Sequence, residues 1–162
     1  MKIAVIGRAP SARQAPVADP EWTVWGMAWA PPPRWDRLFD IHSRRLRAGY
    51  GGSGYKLHLD TVTPLTMLHD PLPHADEYPL AAVKALVGEG VLTSSVAYML
   101  AAAILAKPLE IGLWGIELTA STEYQRQRPS VHFLLGVAKG QGIAVTLPPG
   151  CPLFPNAPDY GA

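Results

Sequence analysis

The sequence is short of cysteine, of net charge and of long apolar runs. Among 162 residues Cys151 stands alone. That excludes an internal disulfide and any zinc ribbon built on cysteine pairs, and it fits a reducing compartment. Lys and Arg number 14 against 13 Asp and Glu, so no overall charge drives the chain toward nucleic acid or an anionic membrane. The longest apolar stretch, Val96 to Ala106, falls short of the roughly 20 residues that span a bilayer. The opening Met1-Lys2-Ile3-Ala4-Val5-Ile6-Gly7 holds an apolar run too short for a signal-peptide core. Internal repeats are absent. A cytoplasmic location without a membrane partner is the expectation.

What is present is enough to build a core. Apolar residues make up 48% and charged residues 17%, which rules out wholesale disorder. The length fits one domain, expected over residues 1–147. Beyond it, Pro148, Pro149, Pro152, Pro155 and Pro158 mark residues 148–162 as a tail laid over the surface or loose in solvent.

Ile3-Ala4-Val5-Ile6 is a continuous apolar run of the kind found in strands buried on both faces. Further strands are predicted at Trp22–Trp25, Arg37–His42, Leu65–Leu68, Ile111–Ile116 and Ile143–Thr146. Helical signals fall between them. Thr93, Ser94 or Ser95 can cap a helix over Val96–Ala106, and Pro79–Val87 reads as a shorter helix ended by Gly88. Pro129–Lys139 has Pro in its first turn and Gly140 just past its end. Pro31-Pro32-Pro33 predicts an extended loop, and Gly49–Gly54 a flexible one. Strands alternating with helices predict an α/β fold: three layers, doubly wound, with a mostly parallel sheet of about six strands, Rossmann-like.

In such a sheet ligands bind beyond the carboxyl ends of the strands, so the residues at those ends are the candidates. The first strand delivers Gly7, Arg8 and Ser11, a glycine turn whose backbone N–H groups suit a phosphate. It is neither GxGxxG nor a Walker loop. Ser94 and Ser95 open the central helix and offer a second group of amide donors. Asp40 and His42 close the third strand, where a histidine suits a general base. Glu117 follows the fifth strand, with Glu123 and Tyr124 after it, acids able to hold a ribose hydroxyl, a divalent ion or a proton.

Each has a plainer reading beside the functional one. The serines serve as helix caps, His42 as a packing histidine, and the glutamates as solvated loop charge. His69-Asp70-Pro71-Leu72-Pro73-His74-Ala75-Asp76-Glu77 offers metal donors, yet in no fixed ligand spacing. Arg34, Arg37, Arg44, Arg45, Arg47 and Lys56 make a locally basic segment suited to an anionic substrate or to solvent. Trp22, Trp25, Trp29 and Trp35 read mainly as packing aromatics.

The opening Ile3-Ala4-Val5-Ile6-Gly7-Arg8-Ala9-Pro10-Ser11 resembles a hydrophobic strand followed by G-x-G-P-S. Together with Leu38–His42, Thr93–Ala101, Glu110–Glu117, Glu123-Tyr124 and Gln127-Arg128-Pro129, it resembles a group of small, often phage-encoded Rossmann-like proteins. These are similar in turn to the sialyltransferase-like and motility-accessory-factor families and to archaeal 6-hydroxymethyl-dihydropterin pyrophosphokinase. The resemblance implies a nucleotide or nucleotide-sugar ligand, with Gly7, Ser11 and the Ser94-Ser95 helix start against its phosphate or ribose. Ala9 replaces the second glycine of the turn, which restricts backbone approach, and Glu117 stands where those families usually show Asp.

The leading expectation is a nucleotide-dependent transferase, glycosyl or phosphoryl. Gly7, Arg8, Ser11, Ser94 and Ser95 would hold the donor, His42 would act as base or leaving-group stabiliser, and Glu117 and Glu123 would position an acceptor or Mg2+. The alternatives are a non-catalytic nucleotide-binding or host-interaction protein of phage origin, and a nucleotide or nucleotide-sugar hydrolase.

Overall fold

A computed structural model describes residues 1–28, 34–49, 59–61, 63–119 and 122–154. The expected loops at Pro31–Pro33 and, past Gly49, through Gly54 lie outside the described residues, as do Trp29, Lys56 and the chain beyond 154.

Among the described residues seven strands form one sheet, and every pairing in it is parallel. They are β1 (Lys2–Ile6), β2 (Trp22–Met27), β3 (Arg37–Asp40), β4 (Leu65–Met67), β5 (Asp76–Glu77), β6 (Glu110–Trp114) and β7 (Ala144–Thr146). The order is β5-β4-β3-β2-β1-β6-β7. The architecture is the expected Rossmann-like α/β class with one strand more. The added strand, β5, is two exposed acidic residues inside the proline-rich loop. Pairing with β4 holds it, and no apolar pattern announces it.

Side-chain alternation along β1 divides the core in two. Ile3 and Val5 join Trp25, Phe39, Ile111 and Leu113 beneath the long helices. Ala4 and Ile6 point to the opposite face with Trp22, Val24 and Trp114. The helical face carries α2 (Leu80–Val87), α3 (Ser95–Leu105) and α4 (Thr122–Gly140), while α1 (Arg44–Gly49) is a short helix between β3 and β4. On the opposite face the cover over these residues is thinner: a 3-10 turn at Pro10–Gln14 and the coil carrying Ala15 and Val17. A separate small cluster there gathers Ala28, Leu38, Leu59, Leu65 and Met67. Chain travel from β1 to β4 uses that thinner face, and travel from β5 to β7 uses the helical one. Direction therefore reverses between β1 and β6.

The central helix forms where the sequence places it. Ser94 Oγ accepts from the Ala97 N–H at 3.2 Å and caps α3. Val96, Ala97 and the run Met99–Ile104 are all buried, as an all-round apolar helix requires. Val96, Met99, Leu100 and Ile104 each contribute about 1.5–3 kcal/mol by leaving water.

The last helix departs from expectation. It begins at Thr122, so Pro129 sits in its interior instead of its first turn. Proline there removes the N–H that would pair with the Gln125 carbonyl, and Gln125 is exposed, so water can take that acceptor. The tail is laid down through residue 154: Leu153 is fully buried, Arg128 Nη2 donates to the Leu153 carbonyl at 2.6 Å, and the His132 ring stacks on Phe154. No described helix is long and apolar enough to cross a membrane.

Candidate functional site

Two clusters sit at the carboxyl ends of the strands. At the β1–β6 reversal the backbones run unusually close. The Gly7 N–H donates to the Trp114 carbonyl at 2.8 Å and the Ala9 N–H to the Gly115 carbonyl at 3.0 Å. A Cβ at Gly7 would collide with the Gly115 carbonyl oxygen, and one on Gly115 (φ +68°) would meet the Gly7 backbone and Ala12. Side chains close the same seam. Ser11 Oγ accepts from the Gly115 N–H at 2.7 Å, and the Ser11 N–H donates to Glu117 Oε1 at 2.9 Å.

The turn expected to offer bare amides thus already holds an anion, and that anion is the carboxylate of Glu117. Ser11 is buried and its hydroxyl is engaged, whereas Arg8 is exposed. Glu117 Oε2 is buried and has no hydrogen-bond partner among the described residues.

The second cluster lies where β3 and β4 end. Asp40 is fully buried. Its Oδ1 accepts from the His42 N–H at 3.0 Å and lies 2.8 Å from His42 Nδ1, while Oδ2 lies 3.3 Å from Arg47 Nη1. The sequence places Asp40 and His42 together at the close of the third strand. The strand instead ends at Asp40, and a side-chain-to-backbone turn folds His42 back onto the carboxylate. Arg47 also donates to the His69 carbonyl at 3.0 Å and lies 3.5 Å from Asp70 Oδ2, with Arg44 Nε 3.7 Å from the same oxygen.

Burial alone pushes the Asp40 carboxyl upward. Hydrogen bonds from the His42 ring and N–H, the charge of His42 and the bond from Arg47 outweigh it, and the group titrates below its ordinary value. Asp40 is therefore a buried, ionised carboxylate that orients a half-buried imidazole.

Ser94 and Ser95 stand at the same end of the molecule, on the other face. The chain enters α3 from α2 and leaves it directly for the start of β6, so α3 runs against the strands and its first turn lies at their carboxyl ends. Ser94 Oγ is spent on the cap, and Thr93 Oγ1 bonds Ser130 Oγ of α4 at 2.8 Å. Glu123 occupies the first turn of α4, where it accepts from Gln127 at 3.2 Å.

Several expected donors are engaged elsewhere. Asp76 pairs with Arg37, and His74 Nε2 contacts the Leu59 carbonyl at 3.0 Å. Among the described residues no group of three or more His, Cys, Asp or Glu converges as metal ligands. Of the basic segment, Arg34 binds the Asp19 and Trp22 carbonyls and Asp36 internally. Trp22 and Trp25 are buried in the two cores. A cavity of about 280 Å3 lies away from the carboxyl ends of the strands, between Trp25, Arg37 and Phe39 and the last turn of α3. Arg37 and Glu77 line it, whereas Asp40, His42 and Glu117 do not.

The part that sequence reasoning missed is Arg47, read there only as one cation among six. Its signal was faint: an Asp-x-His followed five residues later by Arg.

An all-parallel seven-stranded sheet with helices packed on it defines a Rossmann-like α/β fold, and the Asp40–His42 pair lies at the carboxyl end of one of its strands. No protein-family model matches the sequence, and no curated protein matches it. Among solved structures, the fold is similar to a mutant of the α-2,3/8-sialyltransferase CstII, with a TM-score of 0.54 and 16% identity over 94% of this chain and 82% of that one. A second structure, CstII from Campylobacter jejuni in complex with the substrate analogue cytidine-5'-monophosphate, gives a TM-score of 0.49 and 14% identity over 96% and 80%.

Proposed function

We propose that this chain is a cytoplasmic nucleotide-dependent transferase, moving a glycosyl or phosphoryl group from a nucleotide or nucleotide-sugar donor. The observation that carries this reading is the buried Asp40 carboxylate 2.8 Å from His42 Nδ1. Likeness of fold to a sialyltransferase supports a nucleotide-sugar as the donor.

With Nδ1 donating to Asp40, Nε2 is the nitrogen that takes a proton. It removes the proton of an acceptor hydroxyl as that oxygen bonds to the anomeric carbon or phosphorus. The bond to the leaving nucleotide breaks, and its electron pair departs with the nucleotide's phosphate oxygen. Exposed Arg8, Arg44 and Arg45 supply positive charge for that oxygen. Ser95 and the capped start of α3 face the donor, as the family resemblance implies. Gly7, Ser11 and Glu117 contribute by shaping the seam at the strand reversal, and Glu123 is assigned to the acceptor. Residues 1–147 form the catalytic domain in this reading.

The test incubates purified protein with nucleoside triphosphates, CMP-sugars and UDP-sugars plus hydroxyl acceptors, resolving products by mass spectrometry. Transfer that falls at least about 100-fold in His42→Ala supports the reading. Saturable binding without product identifies a non-catalytic binder, and release of the group to water identifies a hydrolase. Either outcome overturns it.

A further inference from the structure

We infer that Arg47 is a positioning residue that sets the proton affinity of His42 by sharing the Asp40 carboxylate with it. The geometry is a chain of alternating charge. His42 and Arg47 divide the two oxygens of Asp40, at 2.8 Å and 3.3 Å. Beyond Arg47 stands Asp70, 3.5 Å away at the tip of β4. Arg47 is only 13% exposed, and the His69 carbonyl fixes it from the same tip. Among the described residues Asp40 of β3 faces His42 directly, and through that carboxylate His42 is linked to Arg47 of α1, which in turn meets Asp70 and the His69 carbonyl after β4, with Arg44 of α1 beside Asp70.

A buried carboxylate facing imidazole alone would hold the imidazolium strongly, leaving a poor base near neutral pH. A guanidinium on the second oxygen offsets part of that negative charge and adds a like charge near the ring. Arg47 cannot deprotonate in the working range, so this offset is constant with pH. Asp70 works in the opposite sense, because it draws Arg47 away from Asp40. The inference uses the reading of His42 as proton acceptor only for its consequence in turnover. The shared carboxylate is measured without any substrate.

The experiment is an NMR titration of the His42 ring protons in the full chain, comparing wild type with Arg47→Met, Arg47→Lys and Asp70→Asn. Arg47→Met is expected to raise the His42 midpoint by about 0.5–1 pH unit, the scale of a nearby charge. Arg47→Lys should restore most of the wild-type value, and Asp70→Asn should lower the midpoint. An unchanged or lowered midpoint in Arg47→Met overturns the inference, as does a shift of the same sign in Asp70→Asn. Should Arg47→Met fail to fold, the sign of the Asp70→Asn shift decides alone. Opposite shifts in a chain that forms no product would sustain the role of Arg47 and sink the transferase reading. Product formation with unmoved midpoints would do the reverse.

Discussion

The Ser11 N–H and the Glu117 carboxylate meet at 2.9 Å although 106 residues separate them. This bond, with Gly115 N–H on Ser11 Oγ at 2.7 Å, fastens the end of β1 to the end of β6. Removing the acceptor leaves a part-buried donor without a partner. Glu117→Ala should lower unfolding stability by about 1–2 kcal/mol in urea titrations. Glu117→Gln keeps a carbonyl oxygen for Ser11 and should lose less. Equal stability in both variants would contradict the fastening role.

Gly7 and Gly115 leave no room for a side chain in that seam. Gly7→Ala places a methyl against the Gly115 carbonyl, and backbone cannot rotate away as a flexible side chain would. The cost expected from such overpacking is about 1–3 kcal/mol, read as a lowered melting temperature. Gly115→Ala meets the Gly7 backbone and Ala12 less severely but adds left-handed backbone strain, so its cost should be similar.

Those two glycines illustrate what the sequence discloses and what it withholds. Ile3–Ile6 announces its own burial, Ser94 its cap and Gly88 its helix end, because each signal is local. The Ser11–Glu117 bond depends on β1 and β6 becoming neighbours, a fact of sheet order that no spacing reports. The same holds for Arg47, whose role exists only once α1 folds back over the tip of β3. Charged Asp76-Glu77 becomes a strand because β4 offers it a partner, and the long α4 absorbs Pro129 where a local reading starts the helix.

The core of α3 carries a plain stability prediction. Leu100 is fully buried within the helical-face cluster. Leu100→Ala should destabilise by about 2–5 kcal/mol, the range for such truncations in packed cores. A loss under 1 kcal/mol in chemical denaturation would mean that α3 is not the centre of the fold.

Asp40 ties stability to pH. Its folded titration lies below the ordinary carboxylate value of about 3.9. Its charge therefore stabilises the fold fully above that ordinary value, and the contribution is lost as pH falls through the lower folded one. Asp40→Asn, which leaves His42 and Arg47 facing a neutral amide, should be several kcal/mol less stable near pH 7. The gap between variant and wild type should narrow below about pH 4. A gap that widens in acid would reverse the assigned sign.

The most direct measurement follows the His42 ring by NMR while nucleotides and nucleotide-sugars are added to the intact chain. A binding donor should shift the His42 resonances in a saturable way, together with amides at the end of β3 and the start of α3. Saturable binding that leaves His42 and those amides unmoved, with perturbations gathered around the cavity beside Trp25 and Phe39, would contradict a reacting centre at the Asp40–His42 pair.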